Sequence, residues 1–227
     1  FSDQVQMTLA LLAAWESSGD ARYRDRARGM AEAVRTHFQD SLNGGWTDRI
    51  YEDQAPGLLA WPTRQIRDNA LFAEALLRIG LSLGVKEGAE LVRASRKGLE
   101  SWADEFAQYR EAAAPYGLAV LRSLNPPIEI VVAGSYGDEG WGSLRDAARA
   151  LYHPWRIMRF VARADAAVML KLAESEMPQG PAIFFCIEGA CSTPSGLREG
   201  LRARMWEFVR ARMAEPAANG AVGQGAP

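Results

Sequence analysis

Apolar side chains recur at intervals of three and four residues through the first half of the chain. In "FSDQVQMTLALLAAWESSGD" they fall at Val5, Leu9, Leu12 and Ala13, which predicts a helix with Ser2 or Asp3 as N-cap and Gly19 as its stop. A second predicted helix begins near Asp20 and carries Tyr23, Ala27, Met30, Val34 and Phe38, ending before the turn residues of "DSLNGGWTD". The two make an antiparallel hairpin. The pattern then returns, with "SDQVQMTLALLAAW" aligning without gaps on "RDNALFAEALLRIG" and Asp3 over Asp68, an offset of 68 − 3 = 65 residues. Leu11 and Leu12 fall on Leu76 and Leu77, and Val34 falls on Leu99. A recurring helical hairpin is the mark of a solenoid or toroid, whose units bury their apolar faces only against one another.

After a further helix, "AAAPYGLAVLRSL", the period changes at "NPP". "IEIVVAG" predicts a strand, followed by a helix from near Ser143, a second strand "RIMRFVA", a helix "DAAVMLKLAES" and a third strand "AIFFCI". The last predicted helix runs from about Ser195 to Met213, with Leu197, Leu201, Met205 and Phe208 on one face. The expected architecture is therefore mainly α. It comprises a partial (α/α) toroid of helical hairpins over 1–125, a small three-stranded α/β appendage with a mixed or parallel sheet over 126–214, and a disordered tail over 215–227. Two hairpins do not close a ring, so the expectation is the C-terminal part of a larger one.

Composition changes this picture little. The 227 residues are 48% hydrophobic and 24% charged, ordinary for a globular chain. A net charge of −2 gives no electrostatic reason to expect nucleic acid or an anionic membrane as partner. No apolar run approaches a membrane span and no signal peptide opens the chain, so a cytoplasmic location is the default expectation.

The candidate chemistry is concentrated around the helix ends. "GGWTD" supplies Trp46 and Asp48, and Tyr51, Trp61, Arg64, Asp68 and Asn69 follow. Aromatic faces beside carboxylates and amides suit a sugar, whose apolar ring faces stack and whose hydroxyls need paired hydrogen bonds. Trp46 would stack, Tyr51, Trp61 and Arg64 would line the site, and Asn69 would donate a hydrogen bond. Asp48 and Asp68 are the candidate catalytic pair, since glycoside hydrolysis needs two carboxylates about 5–5.5 Å or about 6.5–9.5 Å apart. Helix capping also accounts for Asp3 and Asp68, and a turn around a buried Trp also accounts for "GGWTD". Cys186 and Cys191 lie in "FFCIEGACSTP", where the apolar flanks of Cys186 favour an inert buried thiol at the end of a strand. Zinc would need four ligands, and the only histidines are the distant His37 and His153, so no metal or cofactor is expected. A disulfide is disfavoured on compartment grounds, and a thiol enzyme using Cys191 is the least favoured reading. "VVAGSYGDEG" matches neither common phosphate loop, and Asp138 or Ser143 would cap the next helix. Arg204 and Arg210 read as a solvated face.

In this order, "SDQVQMTLALLAAWESSGDARY", "GGWTD", "DNALFAEALLRI", "PPIEIVVAG" and "FFCIEGACSTP" resemble the C-terminal region of the thioredoxin-like, spermatogenesis-associated protein family. The stretch "RIYEDQAPGLLAWPTRQIR" departs from that likeness. The resemblance implies an N-terminal thioredoxin-like region ahead of a toroid of the kind seen in N-acylglucosamine 2-epimerase and six-hairpin glycosidases. It also implies a domain that binds a sugar or similar polar metabolite. Epimerases of this fold use histidines for proton transfer, and this chain has almost none: His37 falls opposite Trp102 in the repeat, which suggests packing, and His153 is expected to end a helix. The alternative is a non-catalytic interaction scaffold for a thioredoxin-like domain.

Overall fold

The structure is a computed structural model that describes residues 1–52 and 54–214. The expected disordered tail therefore lies outside the described residues. The chain divides into two compact units, Phe1–Pro127 with Ile157–Arg159, and Ile128–Arg156 with the residues from Phe160 onward.

The first unit is helical. Helix α1 (Ser2–Ser18) and helix α2 (Ala21–His37) form one hairpin. Gly19 sits in the left-handed region and its N–H reaches the Trp15 carbonyl, while the Asp20 carboxylate accepts from the Arg22 N–H and caps α2. Helix α3 (Ile66–Leu83) and helix α4 (Val85–Glu100) form the second, turned at Gly84, and helix α5 (Ala114–Leu124) follows the 3-10 stretch Phe106–Ala113. Ser2 and Asp3 belong to the first turn of α1 instead of capping it.

Helix α3 explains the arrangement. Thirteen of its 18 residues are buried, so it is covered nearly all round and must be enclosed by other helices. Helices α1, α4 and α5 pack on it. The Ser2 hydroxyl donates to Asp68 at one end of the α1–α3 contact, and Arg78 donates to Glu16 at 2.5 Å toward the other. Equal ends meet, so α1 and α3 run parallel. Arg122 of α5 pairs with Glu74 of α3 in the same manner. The alternation of packed inner helices with outer partners is the toroid arrangement read from the 65-residue repeat, and Leu12 and Leu77, like Val34 and Leu99, are buried pairs in it. Gly80 and Gly88 bring the backbones of α3 and α4 into contact, because a Cβ on Gly88 would lie 1.7 Å from the Gly80 carbonyl oxygen. The Ser95 hydroxyl donates to the Ala73 carbonyl at 2.6 Å about two turns further along the same helix pair.

After the first unit's helices come strand β1 (Ile128–Ala133), helix α6 (Trp141–Arg149), strand β2 (Arg156–Val161), helix α7 (Arg163–Leu170), strand β3 (Ala182–Ile187), strand β4 (Ala190–Cys191) and helix α8 (Leu201–Ala214), all in the second unit except Ile157–Arg159 of β2. The strand order is β2-β1-β3-β4. Bonds from Ile128 N to Trp155 O and from Gly134 N to Val161 O advance together, which makes β1 and β2 parallel across the α6 connection. β1 pairs with β3 antiparallel, with Ile130 opposite Phe185, and β3 turns directly into β4. The sheet is mixed. It has four strands where the sequence reading expected three, because β4 is only two residues long. Val131, Ala133, Ala166, Ala167, Met177, Phe184 and Cys186 form a buried cluster on it.

Several local expectations are corrected. Helix α6 starts at Trp141 without a side-chain cap, and Asp138 instead accepts from the Ser135 N–H at 2.7 Å within the loop. Helix α8 starts at Leu201; Leu201, Met205 and Val209 are its buried face, and Leu197 is exposed ahead of it. His37 is exposed in the last turn of α2, whereas its repeat counterpart Trp102 is buried, so His37 has no packing role. His153 does not end a helix. It lies between α6 and β2, with Nδ1 2.7 Å from the Trp155 carbonyl oxygen. The largest correction concerns sulfur: Cys186 and Cys191 are joined in a disulfide, so neither is the free buried thiol expected, nor is Cys191 a free nucleophile.

Candidate functional site

The connection from α2 to α3, residues 38–65, carries most of the candidate side chains and is stitched to the start of α3. Phe38 O accepts from Thr47 N, Gly45 O accepts from Asp40 N, and Asp48 N donates to Thr63 O at 2.7 Å. Gly44 and Gly45 both adopt positive φ, the conformation that lets this loop fold back on itself.

Asn69 is the pin. Its Oδ1 accepts from the Trp46 N–H at 2.7 Å, and its Nδ2 donates to the Trp46 carbonyl at 2.8 Å and to the Gln65 carbonyl at 3.0 Å. At 1% exposure it has spent both amide protons on the protein itself. Trp46 is 4% exposed and stands edge-on to Phe72, with ring centroids 4.6 Å apart. Its ring also lies against Gly98, where a Cβ would come within 2.4 Å of the indole carbons. Trp46 is therefore a core residue and not an open stacking platform.

Arg64 ties the two helix-end loops together. Its Nη1 donates to the carbonyls of Asn43, Gly44 and Ser101, its Nη2 to Glu105, and its guanidinium lies 4.5 Å from the centre of the Trp102 ring. Asp48 accepts from the Thr63 N–H at 2.9 Å, from the Thr63 hydroxyl and from Arg49 at 2.7 Å. Partial burial pushes the Asp48 carboxyl up, but the hydrogen bonds from Arg49 and Thr63 outweigh it and leave it below the ordinary carboxylate range. Asp68 is buried in the first turn of α3 and takes the Ser2 hydroxyl, whereas its repeat counterpart Asp3 is exposed.

Two candidates stand apart. Tyr51 is 67% exposed and Trp61 74% exposed, and Leu58 and Leu59 on the 3-10 turn Gly57–Ala60 are exposed with them. A pocket of about 760 Å³ opens between the Asp40–Trp46 loop and α4. Its walls carry Arg35, Glu90, Arg93, Lys97 and Glu100, with Arg35 donating to Glu90 at 2.6 Å. Among the described residues no group of three or more His, Cys, Asp or Glu could hold a metal ion. No helix there is long and apolar enough to cross a membrane.

Residues 4–66 match the family model of N-acylglucosamine 2-epimerase (GlcNAc 2-epimerase). The matched segment is α1, α2 and the whole α2–α3 connection, and it stops at the first residue of α3. The epimerase likeness thus covers one complete hairpin with the loop that bears Trp46, Asp48, Tyr51, Trp61 and Arg64. It supports an α/α toroid architecture. No curated protein matches the chain.

Sequence reasoning found the loop but assigned its residues by type. It missed that Arg64 bridges two loops, and that Glu16–Arg78 and Glu74–Arg122 join neighbouring inner helices. These two pairs had a signal: four charged residues set within otherwise apolar helical stripes need partners.

Proposed function

We propose that the helical unit binds a saccharide of the N-acylglucosamine class at the α2–α3 connection, with Tyr51 and Trp61 as the stacking faces. The observation that carries this reading is the exposure of these two rings on the loop where the epimerase match ends. Large aromatic side chains left in water on a loop that is otherwise pinned at both ends are available for a ligand. The pocket bounded by the same loop offers donors and acceptors of both signs, as hydroxyl groups require. Trp46, Arg64 and Asn69 then act as positioning residues that hold the loop.

The two carboxylates divide in this reading. A general acid needs a raised pKa, and Asp48 is held low, so it anchors the loop. Asp68 is the carboxylate proposed to serve the sugar. Turnover is not part of the proposal, because proton transfer in an epimerase of this fold calls for imidazoles and the chain has two, neither in this loop.

Calorimetric titration of the full chain with N-acetylglucosamine, and with other mono- and disaccharides, tests it. Binding is expected, weakened about tenfold by Trp61→Ala, the worth of one aromatic contact. Heat of binding from none of the sugars, or binding indifferent to both Trp61→Ala and Tyr51→Ala, refutes it. A second reading, an interaction scaffold for a thioredoxin-like domain, is favoured by one fact: the side chains of Asp48, Arg64, Asp68 and Asn69 are already hydrogen-bonded within the protein and Trp46 is buried. A scaffold keeps its partners in Asp48→Ala and Asp68→Ala variants and takes up no sugar.

A further inference from the structure

The turn between β3 and β4 is Glu188–Gly189, both at positive φ. Two residues with that geometry make the tight hairpin turn whose twist matches the strands, so the register is set by backbone. Ile187 faces Ala190 and Cys186 faces Cys191. Ser192 N donates to Phe185 O at 2.8 Å, which makes the Phe185–Ser192 pair hydrogen-bonded and the Cys186–Cys191 pair between it and the turn a close, non-hydrogen-bonded one. The two Cα atoms are 4.1 Å apart. Three further bonds hold the segment without the sulfurs: Phe185 N donates to the Ser192 hydroxyl oxygen, Ile183 N to Ser195 O, and Ser195 N to Ile183 O. The cysteines therefore face each other whether or not they are bonded.

The pair is also asymmetric. Cys186 is 2% exposed within the apolar cluster on the sheet, whereas Cys191 is half-buried on an edge strand. A groove of about 300 Å³ between the Phe185–Ser192 pair and α8 lies on the other face of the strands and does not include either cysteine. The open side of an edge strand can receive an extended chain.

We propose that Cys186–Cys191 is a reversible redox pair that accepts two electrons from a dithiol approaching Cys191 from the β4 edge. The incoming thiolate bonds to Cys191 Sγ, the Cys186–Cys191 bond breaks, and Cys186 Sγ leaves with the electron pair and takes a proton from water. The second thiolate of the donor attacks the mixed disulfide at the donor's own sulfur and expels Cys191, which is protonated in turn. The donor ends as a disulfide and the protein as a dithiol, with two electrons and two protons transferred. Expulsion of Cys186 into apolar surroundings slows the first step, and the backbone register makes the reverse closure fast. The proposal is independent of the saccharide reading.

Millimolar dithiothreitol applied to the folded full chain, followed by maleimide labelling and mass measurement, tests it. The expected result is two labelled thiols with near-UV circular dichroism retained, and no labelled thiol in a sample returned to oxidised dithiothreitol before the maleimide is added. No labelling until denaturant is added, or labelling in step with loss of the dichroism, overturns it, since the bond would then be a structural staple. Acid trapping during exchange with reduced glutathione fixes the entry point. The adduct is expected on Cys191, and an adduct on Cys186 overturns the route.

Discussion

Asn69 makes three hydrogen bonds from a position with no solvent, and two of them close the backbone of Trp46. Asn69→Ala leaves the Trp46 N–H and carbonyl buried without partners, so denaturant unfolding should show a loss of about 2 kcal/mol. Asn69→Asp is expected to be no milder, because it replaces two donors by acceptors facing carbonyls. Asp48 gives a pH signature. Its carboxyl is lower in the folded protein than in the unfolded chain, so its contribution is complete above the ordinary aspartate range and is lost as the pH falls through that range to the folded value. The acid limb of the stability profile should therefore be shallower in Asp48→Asn than in the parent, and an unchanged slope would show that Asp48 does not hold the loop. These residues were legible as polar and aromatic types at a helix end. Their assignment was not, because sugar sites and loop anchors draw on the same amides, carboxylates and rings, and only the partners separate them.

At the scale of elements, the 65-residue repeat was legible because inner and outer helices share one spacing of apolar positions; α1 to α4 followed from it, and α5 from its own apolar pattern. Strand β4 escaped because two residues carry no periodicity, although "IEGA" between apolar runs is a two-residue hairpin signal. The disulfide escaped with it, since its argument turned on compartment and not on register. Helix α3 should exchange its amide hydrogens slowest, because it alone is enclosed by α1, α4 and α5. Gly88→Ala forces a methyl into the Gly80 carbonyl and should cost about 3 kcal/mol, read from thermal or chemical unfolding. A double-mutant cycle on Glu74 and Arg122 should return a coupling of about 1 kcal/mol or more, larger than for the exposed Arg28–Glu32 pair on α2.

For the whole molecule, charge decides one class of partner. With 26 basic and 28 acidic residues there is no surplus to release counterions from a nucleic acid. Neither duplex nor single-stranded DNA should shift in a native gel at physiological salt, and a shift there would point to a local basic face that the totals conceal. The two proposed chemistries belong to different units, one to the α2–α3 connection and the other to the β3–β4 hairpin. The Gly80–Gly88 crossing has a further effect on how the helical unit responds to anything it binds. Where two main chains already touch, one helix cannot slide or sink toward the other, so the α3–α4 hairpin behaves as a stiff tile. Accommodation to a guest is then left to the rim, and the long connection bearing Tyr51 and Trp61 becomes the adjustable part of an otherwise unyielding wall.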